Sequence, residues 1–505
     1  MRLRELVDPS QLRAVHGPLE VEVGRIVTDS REVAAGDLFV CLPGYRSEGG
    51  ETRADRHDFI PAALERGAAA LLVERDVDAI DGITVARVAD AWSAVATAAA
   101  RAFGHPSRAL RVVGVTGTSG KTSTTYFIEA VLAAAGQRVA RLGTIEYRLG
   151  DRILPAAQTT PEAPLLQSLL RTAVDGGCTA AVMEVSSHAL ALRRTDEIAF
   201  DVAVFTNLSH DHLNFHRDME DYRRAKGRLF EGLGSGGKRG IAVVNADDPT
   251  SGYIIGVNRG DLLTYGIERS ADVRAGDVRT SLRGVAFTAD TPRGMVEVEL
   301  HHLGDYSVYN ALAALAVGES LGLPLDRIAA GLAAAPPVPG RFELVEAGQP
   351  FVVAVDYAHK PDALQRLLQS ARRLEPRRVI TVFGCGGDRD RAKRPVMGRI
   401  AVELSDWTIV TSDNPRSEDP RAIVAEILAG ARERDPQGTR HVADVDRARA
   451  IARAVEIAEP GDIVLIAGKG HEPYQLIAGK RFDFDDRLVA RAAVEKRLRE
   501  QPARK

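Results

Sequence analysis

A chain of 505 residues exceeds what one compact core encloses, so two to four domains of roughly 100–200 residues each are expected. Its 66 Lys and Arg nearly cancel its 69 Asp and Glu, and no basic run or heptad stretch stands out, which disfavours nucleic-acid and coiled-coil partners and favours a small molecule. Cys41, Cys178 and Cys385 are scattered and odd in number, the pattern of a reduced, cytoplasmic protein without a disulfide framework.

Along the chain, the opening MRLRELVDPSQL lacks an apolar core followed by a small-residue cleavage site, and no stretch approaches ~18 uninterrupted apolar residues. Export and membrane spanning are therefore not expected. Ala-rich helical stretches alternate with β-branched runs: VVGVTG, AAVMEV, DVAVFTN, IAVVNADD, VITVFGCGG, WTIVTSDN and DIVLIAGKG. This is the βαβ rhythm of parallel α/β sheets. Pro/Gly clusters at AFGHPSR (102–108) and APPVPGR (335–341) read as joints and divide the chain into 1–107, 108–338 and 339–505.

In LRVVGVTGTSGKTSTTYFIEAVLAAAG a strand enters a Gly-rich turn and leaves as a helical pattern that stops at Gly136. The backbone N–H groups of Gly117, Thr118, Ser119 and Gly120 with the helix N-terminus form a cradle for phosphate. Lys121 can neutralise terminal phosphates, and Thr122 can ligate Mg²⁺. The strict Walker spacing would require Gly at 115, where Val115 stands; Gly114 and Gly117 bracket Thr116 instead.

Glu184 closes the apolar run AAVMEV, and Asn207, His210, His212 and His216 follow another. In open α/β sheets ligands bind beyond the carboxyl ends of strands, so Glu184 is a candidate hard-oxygen ligand for Mg²⁺, against the alternative of a surface carboxylate. The His210-x-His212-x₃-His216 spacing also admits zinc, but no nearby Cys completes a tetrahedral set. In the amphipathic MEDYRRAKGRLF, composition alone reads Lys226 as a solvated charge.

Toward the C-terminus, WTIVTS ends in the turn Asp413-Asn414-Pro415-Arg416, and Asp419-Pro420 reads as an N-cap and first helical position. Arg416 is either a solvated loop residue or one of several groups delivered by strand exits. VITVFGCGGDR delivers Arg389, and DIVLIAGKGHE delivers Gly468 and Glu472. A guanidinium suits a carboxylate and Glu472 suits an ammonium, so together they could read a zwitterionic end.

GTSGKTS at 117–123, TTPE at 159–162, MEVSSHAL at 183–190, TNLSHDHL at 206–213, AK at 225–226, NADDP at 245–249, PGRFE at 339–343 and DYAHKPDAL at 356–364 resemble the Mur ligases in order and spacing, over about 28–487. VTDSREVAAGDLFV, GCGGDRDRAKRP, DNPR and GKGHE resemble the branch of that family that adds meso-2,6-diaminopimelate. The resemblance implies three domains: an N-terminal one for the UDP end, a central P-loop-type ATPase, and a C-terminal Rossmann-like one for the amino acid. It implies ATP-driven ligation of meso-diaminopimelate to UDP-N-acetylmuramoyl-L-Ala-D-Glu in peptidoglycan precursor synthesis, by a monomer in the cytoplasm.

By resemblance, Lys226 is carbamylated, which would turn a cation into an anionic oxygen ligand able to hold a second Mg²⁺ with His212 and Glu184. Thr28, Ser30, Gln158, Thr159, Thr160, Ser186 and Arg194 would contact the UDP-muramoyl dipeptide. Ser123, Asn310, Arg341 and Asp356 would join the phosphate loop in holding ATP. His359 would orient phosphate or substrate, or serve a structural role at a strand end. The sequence departs from the family pattern in a longer loop at 44–60, in Leu192 where a polar residue is common, and in Asn214 where Asp is frequent. The same chemistry with L-lysine or another diamino acid, and a nucleotide-binding scaffold without turnover, are the alternatives.

Overall fold

The computed structural model describes residues 1–46 and 52–500, so part of the longer loop at 44–60 lies outside the described residues. The chain forms two compact units. The first comprises Met1–Ala275, Ala289–Val296 and Tyr309–Leu332; the second comprises Gly276–Thr288, Glu297–Val308 and Ala333–Lys505.

The first unit carries two sheets. The N-terminal one runs Leu12–His16, Thr84–Val88, Ala70–Val73, Leu38–Val40, Ile26–Val27, with only the first pair antiparallel. Its apolar face packs on helix Ala91–Ala102, whose start is fixed by the Asp90 carboxylate accepting from Ser93 N. Small alanines on that helix let it lie close to the sheet.

In the second sheet of this unit, strands Val139–Leu142, Ala180–Glu184, Arg111–Thr116, Val202–Phe205, Ile241–Asn245 and Asp261–Gly266 are parallel neighbours in that order. Most of them read as continuous apolar runs because helices cover both faces. The chain leaves Arg111–Thr116 toward one side, by Val139–Leu142, and later fills the other side with Val202–Phe205. The exit of Arg111–Thr116 is thus a topological switch point, where an open α/β sheet leaves a crevice.

The second unit is built on a sheet ordered Glu343–Leu344, Val352–Asp356, Ile463–Ala467, Val379–Phe383, Trp407–Val410, His441–Ala443. Its first pair is antiparallel and the rest are parallel. Helices Pro361–Arg373, Lys393–Leu404 and Pro420–Arg434 seal one face, and Arg447–Ile457 with Asp486–Glu500 seal the other. Helix Pro420–Arg434 starts where expected, with the Asp419 carboxylate accepting from Arg421 N.

Two fully buried arginines tie this layer together. Arg447 forms a bidentate pair with Asp486 at 2.7 Å on both arms, and also donates to Ser412 O (3.2 Å) and Ala467 O (3.1 Å), one residue before Asp413 and Gly468. Arg394, on helix Lys393–Leu404, grips Glu418 and Glu426. No described helix is long and apolar enough to cross a membrane.

Candidate active site

At the switch point, strand Arg111–Thr116 gives way to Gly117–Gly120 and helix Lys121–Ala134. The absence of Gly at 115 has a structural reason: Val115 is still in the strand, fully buried and paired with both Glu184 and Val204. The turn itself begins at Gly117, whose φ of +152° favours glycine and where a Cβ would stand 1.8 Å from Thr206 Oγ1. The loop is pinned by Asn207, which accepts from Ser119 N (3.0 Å) and donates to Ser119 O (3.1 Å). Lys121 Nζ donates to Gly117 O (2.9 Å) and Thr118 O (3.1 Å). Ser123 is buried in the first turn of the helix, and Asn310 Oδ1 accepts from Thr124 Oγ1 at 3.2 Å.

Glu184 is 1% exposed, which overturns the surface-carboxylate alternative. Its Oε1 accepts from Thr122 Oγ1 (3.0 Å) and Thr144 N (2.8 Å), and its Oε2 accepts from Thr144 Oγ1 (3.0 Å). A buried carboxylate beside a hydroxyl at the end of a phosphate loop is a hard-oxygen donor set, which suits Mg²⁺ with water and phosphate completing the shell. The three histidines do not converge. His216 is buried against Ser187 Oγ (2.9 Å) and burial pushes its pKa down to about 4, whereas His210 is exposed. Among the described residues no group of three or more His, Cys, Asp or Glu side chains is arranged to hold a metal.

The solvated reading of Lys226 also fails. Lys226 is 1% exposed, donates to Gly117 O at 2.8 Å and lies 4.5 Å from the centre of the Tyr222 ring. The same carbonyl therefore accepts from Lys121 and Lys226. Two ammonium groups held by one buried oxygen repel each other, and conversion of one to an anion would reverse that sign. His212, at φ +55°, has its ring Nε2 3.0 Å from the Asp211 carboxylate.

Of the residues expected around the UDP-muramoyl dipeptide, Thr28 and Arg194 lie near Glu162, and Thr159, Thr160 and Ser186 lie nearer Thr144 and Glu184. The Glu162 carboxylate accepts from Thr28 Oγ1 (2.9 Å), takes both arms of Arg56 (2.7 and 3.1 Å) and meets Tyr45 OH (3.4 Å). Burial would raise its pKa, but Arg56 outweighs that and holds the group below the usual carboxylate range. Arg194 donates to Gln158 Oε1 (2.7 Å) and Thr160 O (2.9 Å), while Thr160 Oγ1 donates to Glu184 O (2.8 Å). Thr159 lies 3.2 Å from Thr144, oxygen to oxygen; Ser186 caps helix Ser187–Ala191, and Ser30 is buried in a short 3₁₀ turn. Sequence reasoning missed Thr144, Glu162, Arg56 and Tyr45. Only Glu162 carried a signal, as the last letter of TTPE.

In the second unit, Asp356 is buried, its two oxygens accepting from Phe342 N and Ala358 N at 2.8 Å, and burial raises its pKa. Arg341 stacks on Tyr357, 4.5 Å from the ring centre. His359 Nδ1 pairs with Tyr357 O at 2.8 Å, and its own carbonyl accepts from Lys393 Nζ at 2.8 Å.

The three strand exits of this unit do meet. Asn414 joins them: its backbone O accepts from Gly387 N (2.9 Å), its Nδ2 donates to Glu472 Oε2 (2.8 Å), and its Oδ1 accepts from Lys469 Nζ (3.3 Å) and Leu476 N (3.0 Å). Arg416, at φ +54°, donates to Gly387 O at 2.8 Å and is half-buried, as is Arg389, whose guanidinium donates to Asp388 O at 2.9 Å. Pro415 O lies so near Gly387 that a Cβ there would stand 1.9 Å away, and a Cβ at Gly468 would stand 2.6 Å from Asp413 Oδ2. Burial and the Asp413 charge raise the Glu472 pKa, against Lys469 and Asn414. Lys469, fully buried, was not anticipated.

Three family models match in succession: "Mur ligase family, catalytic domain" at 22–114, "Mur ligase middle domain" at 115–318 and "Mur ligase, glutamate ligase domain" at 340–470. A protein of Geobacillus kaustophilus (strain HTA426), described as UDP-N-acetylmuramoyl-L-alanyl-D-glutamate--2,6-diaminopimelate ligase, is 46% identical over 486 residues, 96% of this chain and 97% of its own. One of the same description from Syntrophomonas wolfei subsp. wolfei is 44% identical over 490 residues, 97% and 98% of the two chains. A solved structure of a ligase of that description has a TM-score of 0.68 at 34% identity, covering 98% of this chain and 99% of its own.

Proposed function

The chain belongs to the Mur ligase family, and from that premise we propose that it joins meso-2,6-diaminopimelate to the D-glutamyl γ-carboxylate of UDP-N-acetylmuramoyl-L-Ala-D-Glu at the expense of ATP. The divisions 1–107, 108–338 and 339–505 are its UDP-end, ATPase and amino-acid domains. It acts in peptidoglycan precursor synthesis as a cytoplasmic monomer.

A carboxylate oxygen is a poor leaving group, so it must first be activated. The γ-carboxylate oxygen attacks the γ-phosphorus of ATP, ADP departs, and an acyl phosphate forms. The amine of diaminopimelate then attacks the acyl carbon, and the C–O bond to phosphate breaks. In such transfers the protein mainly positions groups and stabilises charge. The backbone of 117–120 and Lys121 hold the phosphates, and Arg341 and Asp356 the nucleoside. Thr122 and Glu184 would hold Mg²⁺, and His212, Glu184 and a carbamylated Lys226 a second ion; these ions would supply positive charge against the transferring phosphoryl group. The shared Gly117 carbonyl supports carbamylation of Lys226.

The observation that carries the amino-acid assignment is the juncture of Arg416, Asn414 and Glu472, which offers a guanidinium to a distal carboxylate and a carboxylate to the ammonium beside it. Purified protein is given ATP, Mg²⁺ and the UDP-dipeptide with each amino acid in turn, and phosphate release and product mass are recorded. Turnover with diaminopimelate is expected. Turnover with L-lysine alone overturns the assignment, and none with any amino acid returns the protein to a nucleotide-binding scaffold.

A further inference from the structure

Arg394 has no exposed side-chain surface and no place in the reaction described above. It donates to Glu418 with both arms (2.9 and 2.7 Å), to Glu426 Oε2 (2.9 Å) and to Gly386 O (3.2 Å). Both carboxylates are external to its own helix: Glu418 follows Arg416 in the exit turn, and Glu426 lies on helix Pro420–Arg434.

What Glu418 does with its other valence matters more. Its Oε1 also accepts from Asp388 N at 2.6 Å, on the loop that carries Arg389. Asp388 in turn accepts from Ser417 N (3.2 Å) and Ser417 Oγ (2.7 Å), beside Arg416. Gly387 N donates to Asn414 O, and Arg416 donates back to Gly387 O. Asp388 and Arg416 face each other at φ +53° and +54°, a left-handed conformation that residues with a Cβ adopt only when their surroundings compel it. Arg416 is held there by its backbone, which donates to Leu476 O (2.8 Å) and accepts from Ala478 N (2.7 Å), and Asp388 is held by Glu418 and Ser417; Arg394 in turn fixes Glu418, its planar fork matching the carboxylate bidentately. The hydrogen bonds from Arg394 hold Glu418 ionised, its pKa pushed down to about 2.

We infer that Arg394 is a positioning residue for the amino-acid substrate: acting through Glu418 and Asp388, it sets the separation of the Arg389 and Arg416 guanidinium groups, and so the preference for a substrate with a distal carboxylate over one without. The inference rests on the diaminopimelate reading above and adds the residue that keeps the two readers in register.

Two variants test it. Arg394→Lys keeps the charge and loses the fork, and Ser417→Ala removes the shorter of the two bonds from Ser417 to Asp388 at an exposed position where nothing is left buried and unpaired. For each, KM is measured for diaminopimelate, ATP and the UDP-dipeptide, along with kcat at saturation and the ratio of kcat/KM for diaminopimelate to that for L-lysine. Displacing a binding group by about an ångström costs up to roughly a hundredfold. Arg394→Lys is therefore expected to raise the diaminopimelate KM about ten- to a hundredfold, with the other two KM values within about twofold and the selectivity ratio falling in step. Ser417→Ala should move the same two quantities about threefold.

Equal rises in all three KM values, or a diaminopimelate KM that does not move in folded Arg394→Lys, overturn the inference. If Arg394→Lys does not fold, Ser417→Ala decides alone, and an unchanged selectivity ratio overturns it. Wild-type protein that fails to use diaminopimelate sinks the underlying reading instead, so the two failures are told apart.

Discussion

Deleting the Asp486 carboxylate with Asp486→Ala should be among the most damaging single changes in the second unit. Arg447 and Asp486 are both fully buried, and Arg447 makes four charge-assisted contacts, two to Asp486 and one each to Ser412 O and Ala467 O. Removing one partner of a buried pair leaves the other charge uncompensated in a poorly polarisable interior, at a cost of about 3–5 kcal/mol. Removing both charges with Arg447→Met/Asp486→Ala leaves packing loss and two carbonyls without this donor but no uncompensated charge, and replacing a buried pair by apolar side chains is often close to neutral.

The double variant should therefore be the more stable of the two. Trp92 and Trp407 are the only tryptophans, and Trp407 opens the strand that ends beside Ser412. In a Trp92→Phe background its fluorescence reports this sheet during urea unfolding. At an m-value of roughly 2 kcal/mol/M the Asp486→Ala midpoint should fall by about 1.5–2.5 M. A double variant no more stable than Asp486→Ala, or a single variant within about 1 kcal/mol of wild type, would refute the argument that an orphaned charge dominates.

Gly117→Ala should abolish nucleotide binding, because the added Cβ meets Thr206 Oγ1 at 1.8 Å in a backbone conformation that disfavours side chains; titration with a fluorescent ATP analogue checks this, and unaltered affinity contradicts it. Glu162→Gln should raise the KM for the UDP-dipeptide by about tenfold and leave that for ATP alone, since Thr28, Arg56 and Tyr45 all converge on that carboxylate. His471 has its pKa driven down to about 3 by burial first, then by Arg341, Arg487 and Lys469. Its folded pKa lies below the unfolded value, so the stability it contributes is present above about pH 6.5 and is lost as pH falls toward 3, by up to about 2 kcal/mol at pH 5. His471→Gln should flatten urea midpoints between pH 7 and 5; an unchanged slope would count against it.

The strands were legible because parallel strands covered on both faces are written as apolar runs, and the phosphate loop because glycines, Lys121 and a helix start follow one of them directly. Lys226 was misread from composition, although the pattern held the answer. Tyr222, Leu229 and Phe230 lie at helical spacing around it on helix Met219–Glu231, so position 226 belongs to the buried stripe. Arg394 and Arg447 carried no such mark. Their partners Glu418 and Asp486 lie 24 and 39 residues away, and a charged residue in a helix reads as solvated until the sheet has brought its counter-ion across. Thr144 was hidden because its meeting with Glu184 depends on which strands become neighbours, and that order is a property of the whole sheet.

The position of Asn414, standing on one strand exit and bonded to the other two, bears on how this site can change. A substitution in any one exit loop is transmitted to the other two through a single residue, by its backbone carbonyl to one and its side-chain amide to the other, so its effect depends on what the neighbours already are. Retargeting the ligase to another diamino acid by successive single steps should pass through variants worse with both substrates. The route open to natural drift or to an engineer is joint replacement around residue 414, with the apolar layers beneath left as they stand.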